Sequence, residues 1–282
     1  MIKISIVIAS TFLFILMFNP APVTAGQPYT TAPTAKEPAG RHDKTDPLIA
    51  RQNQAGNEQT LAAVRTALAA DPENPDLMLA VAETLNRIMR IKTNGNVITI
   101  AGKTQDSVKN KAVWKTYAPE ALHLSKTALK MKPDDPRALL AYAESYLYQS
   151  SSYGILNAIY KGAAKRYKEN ARNLIEKYPK ADDALGHIHM GCFYLAAPWP
   201  LSSRAKARKH FTSALKLAPA SVRGHYYVGL TALLENDLAV AEKSFRCVID
   251  NPCTRGSEQD YCGFLKEQAA TGLSQIKCTS NN

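Results

Sequence analysis

Residues 207–219 read ARKHFTSALKLAP, and residues 241–252 read AEKSFRCVIDNP. The two segments share a small residue, a phenylalanine four positions later, a small or aliphatic residue three positions after that, and a final proline: Ala207, Phe211, Ala214 and Pro219 in the first, Ala241, Phe245, Val248 and Pro252 in the second. Spacings of four and seven put side chains on one face of an α-helix, and proline ends a helix. Each segment is therefore predicted to lie in an amphipathic helix whose buried face carries the small residue and the phenylalanine.

The segments that precede these helices carry the partner half of the pattern. Gly191 and Tyr194 come before the first, and Gly229 and Ala232 come before the second. A small residue lets two antiparallel helices approach closely, and the aromatic ring fills the space that is left. The same spacing recurs more loosely nearer the start, at Ala63, Ala67, Ala70 and Pro75 and again at Leu124, Ala128, Met131 and Pro136. The pattern predicts helical hairpins that end at proline turns and stack on one another.

These residues resemble the tetratricopeptide repeat (TPR) family, whose unit is a helix–turn–helix of ~34 residues. The resemblance covers residues 48–251, with residues 258–277 as a capping helix. His187 and His225 stand where the family's unit has tryptophan. The resemblance implies an all-α fold, an α–α superhelical solenoid of TPR-like hairpins. Such solenoids present an extended concave groove, which here would be rich in tyrosine and basic.

The first residues have the pattern of a secretory signal peptide. Lys3 precedes an apolar run from Ile4 to Phe18, and small residues lead up to Ala25. An uncleaved membrane anchor is the alternative. We predict a signal peptide over residues 1–25, a flexible tail over residues 26–47 that is rich in Pro, Thr, Ala and Gly, and one repeat domain over residues 48–282. The predicted location is secreted or periplasmic, without stable membrane insertion after cleavage.

The cysteines fit an oxidising compartment. Cys192 stands alone, whereas Cys247, Cys253, Cys262 and Cys278 cluster near the end of the chain. Four cysteines permit three pairings, which the sequence does not rank. We predict two disulfides that staple the terminal hairpin and its capping helix, since a terminal repeat lacks a neighbour on one side. A zinc site is the alternative, although no C-x-x-C spacing occurs.

The net charge is +11, and the excess is concentrated between Lys161 and Arg223. A charge of this size favours anionic partners, and export argues against nucleic acid. On the helix that begins at Arg204, Ala205, Ala207 and Phe211 are predicted to point inward. The basic residues predicted to point outward are Arg204, Lys206, Arg208 and Lys209. Either they form a solvated face, or they dock a protein partner with an acidic surface.

Two insertions and a tyrosine cluster stand out from the repeats. Residues 92–111 form a predicted loop that includes the apolar stretch Val97–Ile100, and residues 197–201 form a proline-rich turn around Trp199. The tyrosines lie on both sides of a break at residues 150–154: Tyr142, Tyr146, Tyr148, Tyr153, Tyr160 and Tyr167. Spacing puts Tyr142 with Tyr146, and Tyr160 with Tyr167, on shared helix faces. These rings either fill gaps between hairpins or line the concave face, where Tyr146, Tyr153, Tyr160 and Trp199 are candidate partner-binding residues.

Catalytic patterns are sparse, and we predict neither an enzyme nor a cofactor. The sequence has no G-x-S-x-G, no H-E-x-x-H and no phosphate-binding glycine loop. The Asp134–Asp135 and Asp182–Asp183 pairs sit beside turns, where aspartate caps helices. His187, His189, Met190 and Cys192 are metal-binding residue types, but they fall on different helix faces, so packing roles are favoured and no metal is predicted.

Residues 178–211 also resemble the T component associated with TRAP transporters. The similarity rests on Tyr178-Pro179, the acidic turn, the helix with Gly191 and Tyr194, and the turn at residues 198–201 that leads into the basic helix. That family implies an exported repeat protein that partners a periplasmic solute-binding protein, although its lipid-anchor cysteine is missing here. The first functional hypothesis is an adaptor for a protein partner in the bacterial envelope. The alternative is a small-ligand or lipid-binding protein that uses the Trp199 turn and the tyrosines.

Overall fold

A computed structural model describes residues 54–253 and 256–280. The predicted signal peptide and tail lie outside these residues. The described chain is all-helical, with eleven α-helices in the order α1 Gln54–Ala70, α2 Pro75–Thr93, α3 Val108–Met131, α4 Pro136–Ser151, α5 Ile155–Tyr160, α6 Ala163–Lys177, α7 Leu185–Ala196, α8 Arg204–Leu217, α9 Val222–Leu234, α10 Leu238–Asp250 and α11 Cys262–Ser280. Among the described helices, none is long and apolar enough to span a bilayer.

Helices adjacent in the chain pack as hairpins, and the close approaches occur where the sequence pattern placed them. Gly191 of α7 lies against the ring of Phe211 in α8, so a Cβ at this glycine would clash with the ring. Gly229 of α9 faces Phe245 of α10 in the same way, and a Cβ there would lie 2.7 Å from the ring. Both phenylalanines are fully buried. The predicted all-α solenoid of TPR-like hairpins is confirmed.

The looser repeats near the start follow only in part the packing that spacing suggested. In α1 the buried face is formed by Leu61 and Val64, and Ala63 is exposed. In α3 Ala128 is fully buried, but Met131 is 49% exposed at the end of the helix. Large aliphatic residues therefore decide the packing of α1, whereas α3 buries Trp114 and small residues. The alanine pattern did not identify the buried face of α1, and in α3 it identified only Ala128.

Turn residues cap several helices. Asn74 accepts hydrogen bonds from the backbone N–H groups of Asp76 and Leu77, and Asp135 accepts one from Arg137 at 2.8 Å. The capping role is confirmed for Asp135 but wrong for Asp182. Helix α7 starts after Ala184 without a side-chain cap, and residues 182–184 all have positive φ angles of 45°, 53° and 61°. Three consecutive left-handed residues that are not glycine form a strained turn, which turns the Asp182 carboxylate toward the interior.

The predicted loop at residues 92–111 is folded into the interior of the solenoid. Helix α2 continues to Thr93, a 3₁₀ turn covers Asn94–Asn96, and Val97, Ile98 and Ile100 are buried. Tyr226 Oη donates to the carbonyl of Ile98 at 2.7 Å, and the Ile98 N–H donates to Tyr227 Oη at 3.4 Å. We call residues 97–106 the inner segment.

The inner segment is anchored at its far end as well. The N–H of Ile100 donates to Gln268 Oε1 of α11 at 2.9 Å. Ile100 and Gly272 of α11 are also in contact. A segment that leaves the second helix of the domain thus lies against the last one, and the groove is occupied by the chain's own residues over this part of its length.

Direct contacts between α2 and the segment before α11 complete the closure. Arg87 Nε lies 3.1 Å from Asp260 Oδ1, and Arg90 Nε lies 2.8 Å from Asp260 Oδ2. Asp260 belongs to the 3₁₀ turn Ser257–Tyr261. Gly95, with a φ of 62°, sits so close to the ring of Tyr261 that a Cβ would lie 2.8 Å from it. The early and late parts of the solenoid therefore meet across its interior.

The terminal hairpin carries one disulfide rather than the predicted two. Cys253 is bonded to Cys262 at the start of α11, whereas Cys247 and Cys278 are free thiols. Lys266 bonds to the carbonyl of Ile249, and Gly272 packs on Phe245, so α11 runs antiparallel to α10. Cys278 lies six residues beyond Gly272, ~9 Å further along the helix and away from Cys247. The antiparallel register keeps this pair apart.

Candidate functional site

A cavity of about 170 Å³ lies between the inner segment and the helices around it. Its lining comes from α2, α4, α6, α7, α9, the inner segment and the 3₁₀ turn before α11, and includes Ile98, Leu147, Tyr148, Ala163, Tyr167, Ile188, His189, Phe193, Arg223, Tyr227 and Tyr261. This volume slightly exceeds the ~150 Å³ apolar cavity that is known to hold benzene. The space is thus of the size of a small molecule.

One wall of the cavity is a row of stacked rings. The imidazole of His189 stacks on the ring of Tyr167 with centroids 5.5 Å apart, and Tyr167 stacks on Phe193 at 6.2 Å. Tyr148 forms part of the lining from α4 and stacks on the buried Trp114. Burial raises the pKa of both Tyr148 and Tyr167, so their hydroxyls stay protonated. The wall is aromatic, rigidly held and uncharged.

The floor of the cavity is built around Arg223, which is 2% exposed. Arg223 Nη1 donates to Tyr261 Oη at 2.9 Å and to Ser257 Oγ at 3.0 Å, and Nη2 donates to the carbonyl of Asp182 at 2.6 Å. The Asp182 carboxylate also accepts from the N–H and Oγ of Ser257. Burial alone would raise the pKa of Asp182, but Arg223 and Ser257 outweigh it and hold that pKa below its usual value.

A second buried carboxylate completes this floor. Glu258 is 1% exposed and accepts hydrogen bonds from Ser221 Oγ and from the N–H groups of Val222 and Arg223. It thereby neutralises the first turn of α9, where the helix dipole favours negative charge. The strained turn at residues 182–184 and the segment between the two bonded cysteines are both tied to the start of α9.

Arg90 and Glu144 form the other charged edge. Arg90 Nη1 lies 2.5 Å from Glu144 Oε2, while its Nε is held by Asp260. Burial raises the pKa of Glu144 although Arg90 opposes it, and the two carboxylates raise the pKa of Arg90 against the effect of burial. This pair separates the cavity from a second, more polar cavity of about 330 Å³.

Some polar atoms at the cavity lack a hydrogen-bond partner among the described residues. They are Arg223 Nε and Asn96 Oδ1, both buried. His189 also lines the cavity and is only 6% exposed. Burial and, to a smaller extent, Arg223 lower the pKa of His189 to about 4, so the imidazole is neutral at pH 7. Buried polar groups are normally satisfied, so a set of this kind points to a missing partner.

Several exposed hydrophobic side chains lie close in sequence to residues that line the cavity. Val108 is 88% exposed, Tyr160 91% and Trp199 88%. Val108 lies two positions after Asp106, Tyr160 two after Ala158 and Trp199 two after Ala197, and all three of these preceding residues line the cavity. Tyr153 likewise lies two positions after Ser151, which also lines it. We call Val108, Tyr153, Tyr160 and Trp199 the rim. Helix α5, which carries Tyr160, is flanked by Gly154 and Gly162, whose φ angles are 79° and 74°.

The predicted partner-binding aromatics separate into two groups. Tyr153, Tyr160 and Trp199 stand on the rim, and Lys161 Nζ lies 3.8 Å above the ring of Tyr153. Tyr146 is half-buried beside Tyr142, with ring centroids 6.3 Å apart. The predicted shared face of Tyr160 and Tyr167 is wrong, because Gly162 separates α5 from α6 and only Tyr167 reaches the cavity.

The predicted basic residues of α8 mostly have intramolecular partners. Arg208 bonds to Glu235 at 2.7 Å and to Asp237 at 2.6 Å, and Arg204 donates to the carbonyl of Leu234. Lys206 lies 5.3 Å from the ring of Tyr194, and Lys209 is exposed. The inward face consists of Ala207, Phe211 and Ala214, and Ala205 is exposed instead. Arg204 and Arg208 therefore brace α8 against the turn between α9 and α10.

The histidines of α7 have separate environments. His187 Nδ1 lies 3.1 Å from His210 Nδ1, outside the cavity lining. Cys192 lines the cavity, and burial raises its pKa to about 12, so it remains a thiol. The described residues contain no group of three or more His, Cys, Asp or Glu side chains that could hold a metal ion.

Comparison with known proteins supports the fold. No family model matches the sequence, and no curated protein matches it. The structure is similar to TTC0263, a thermophilic TPR protein in Thermus thermophilus, with a TM-score of 0.53 and 16% identity over 78% of this chain and 91% of that one. It is also aligned with an IFIT1 monomeric mutant with Gppp-AAAA, at a TM-score of 0.42 and 16% identity; this chain spans 56% of the IFIT1 chain. A score this low carries no argument, and the likeness to TTC0263 establishes a TPR-like fold alone.

Proposed function

We propose that this TPR-like chain is an exported binding protein that holds a small molecule inside its solenoid. The proposal rests on the cavity inside the solenoid, whose lining combines aromatic rings with unpartnered polar atoms. Ligand sites are typically concave and mostly apolar, with a few polar groups that fix orientation. An open groove would have favoured a protein partner, but the inner segment occupies the groove at α9 and α11.

The experiment is native mass spectrometry of the protein purified from its own source without denaturation. We expect a stoichiometric small-molecule adduct that dissociates on collisional activation. Ala164→Leu and Ala196→Leu place larger side chains in the lining and should remove the adduct. Ala69→Leu, on the exposed face of α1, is the matched control and should retain it. Adduct-free wild-type protein, or an adduct that survives both lining variants, would contradict the proposal.

A second candidate is docking of a protein partner on the rim. Three of the rim side chains are almost fully exposed, and exposed aromatic residues are typical of binding hot spots. Lys161 lies above the ring of Tyr153 and favours an acidic partner, and the TRAP resemblance suggests a periplasmic solute-binding protein. Nucleic acid is a less suitable partner for an exported protein. In this scheme the partner would hand the small molecule to the mouth of the cavity.

Site-specific crosslinking in intact cells tests this candidate. A photoreactive amino acid in place of Trp199 should capture one dominant protein. The same amino acid in place of Met131, which is 49% exposed and away from the mouth, is the control. Equal capture from both positions would refute docking on the rim.

A further inference from the structure

We infer that the cavity selects a neutral, ring-bearing molecule with both a hydrogen-bond donor and an acceptor, and that it rejects anions although the whole chain is strongly basic. This inference rests on the proposed function, since it names the ligand class of the same cavity. A net charge of +11 and the TRAP resemblance would instead suggest that the ligand is an organic acid.

The buried charges around the cavity leave no positive charge for an anionic ligand. The arginines at this site are Arg87, Arg90 and Arg223, and the buried carboxylates that face them are Glu144, Asp182, Asp260 and Glu258. Arg90 is shared by two carboxylates, and Arg223 is committed to Asp182. If Glu144 is protonated, the set is neutral; if not, it is negative. A bound carboxylate would therefore be desolvated without a counter-charge, which is strongly unfavourable.

The available polar atoms instead match a neutral ligand. Arg223 Nε carries a hydrogen that can be donated to a carbonyl, and Asn96 Oδ1 can accept from an N–H or O–H group. A neutral imidazole has one donor and one acceptor nitrogen, so His189 complements either kind of group. An incoming molecule with one donor and one acceptor would satisfy buried atoms that otherwise remain unpaired, and a buried unpaired group is costly.

The stacked wall explains the preference for a ring. His189, Tyr167 and Phe193 lie in offset stacks with interplanar angles of 28° for each pair. A flat ring adds to such a wall with its face or edge at favourable geometry. A cavity near 170 Å³ accommodates a single substituted ring rather than a long acyl chain.

A charge-matched pair of probes tests the inference. Benzamide and benzoate have almost the same size and shape, but only benzoate is an anion at pH 7. Titration calorimetry of the full domain should give a dissociation constant for benzamide at least tenfold lower than for benzoate. Indole-3-carboxamide and indole-3-carboxylate provide a second pair. Equal or tighter binding of the carboxylates, or no binding of any of the four, would overturn the inference.

A variant pair locates the effect in the cavity. His189→Phe keeps the ring stacked on Tyr167 but removes both nitrogens, and it should weaken benzamide binding by about fivefold or more. His187→Phe alters a histidine outside the lining and should leave that affinity unchanged. Equal effects of the two would contradict the assigned role of His189. Native mass spectrometry tests the proposed function separately. An anionic adduct that is lost in the lining variants would support binding of a small molecule and would refute only the inference that the ligand is neutral.

Discussion

Replacement of Asp260 by asparagine should loosen the closure of the solenoid. The Asp260 carboxylate faces Arg87 and Arg90 of α2 from the segment before α11, and its side chain is only 8% exposed. Asparagine has nearly the same shape but removes the negative charge. Both guanidiniums keep little exposure to water, and Arg90 keeps Glu144 as a carboxylate partner.

The expected loss follows from the burial of this pair. Removal of one partner of a buried ion pair costs ~3–5 kcal/mol, and the lower end applies because Glu144 still neutralises Arg90 and the amide can still accept a hydrogen bond. We therefore expect a loss of about 3 kcal/mol in the free energy of unfolding. For a domain of this size that corresponds to a fall in Tm of roughly 6–12 °C.

Urea denaturation followed by circular dichroism measures this loss. The matched control is Glu242→Gln, which breaks the ion pair with Arg246 within α10, where the two side chains are 43% and 60% exposed. An exposed pair of this kind contributes ~0.5 kcal/mol at most. If Asp260→Asn costs no more than the control, the contact between α2 and the last turn does not close the interior, and the reasoning fails.

Three further variants test other parts of the structure by thermal and urea unfolding. Gly191→Ala should cost ~1–3 kcal/mol because its Cβ would meet the Phe211 ring. The control Gly263→Ala has open space around it and should be neutral or stabilising by a few tenths of a kcal/mol. Equal effects of the two would contradict the packing of Gly191 on Phe211. The pKa of His189 is about 4 in the folded chain but about 6.5 in the unfolded chain. As pH falls from about 6.5 to about 4, only the unfolded chain binds this proton, so stability should decrease by up to ~3 kcal/mol across that window. His189→Gln should lose this part of the slope; an unchanged slope would refute a neutral buried imidazole. Trp199→Ala should change stability by less than ~0.5 kcal/mol but abolish capture of the partner by a photoreactive amino acid placed at Tyr160; a large loss of stability would show that Trp199 is part of the core.

The hairpins could be predicted because their determinants are local. Gly191 with Phe211, and Gly229 with Phe245, are a small residue and a ring at helical spacings that proline turns delimit. The weaker alanine pattern around Ala63 failed since alanine is common on exposed helix faces and carries little packing energy. Large aliphatic residues such as Leu61 were the better signal there.

The cavity could not be predicted because its parts meet only through long-range contacts. Ile98 lies 128 positions before Tyr226, which donates a hydrogen bond to its carbonyl. Arg223 appeared only as part of a basic region, and Asp182 as a helix cap, although the two form the cavity floor. The buried stretch Val97–Ile100 inside a polar loop was the one local sign, since an apolar run in a loop needs something to pack against.

The disulfide and the basic helix show the same limit. The sequence favoured pairing of all four late cysteines, but the antiparallel register of α10 and α11 separates Cys247 from Cys278. Arg208 is a basic residue of the kind that docks an acidic partner, but the carboxylates of Glu235 and Asp237 in the turn after α9 pair with it. In both cases the deciding partner is set by tertiary geometry.

Residue-resolved amide hydrogen exchange of the inner segment tests the central claim most directly. The N–H groups of Ile98 and Ile100 donate to Tyr227 and Gln268 in the interior, so they should exchange as slowly as the core amide of Leu230. Lys103 is exposed and its N–H bonds only to the side chain of Thr99 within the segment, so it should exchange much faster. If Ile98 and Ile100 exchange as fast as Lys103, the segment is not docked, the groove is open, and the cavity that the segment lines does not exist.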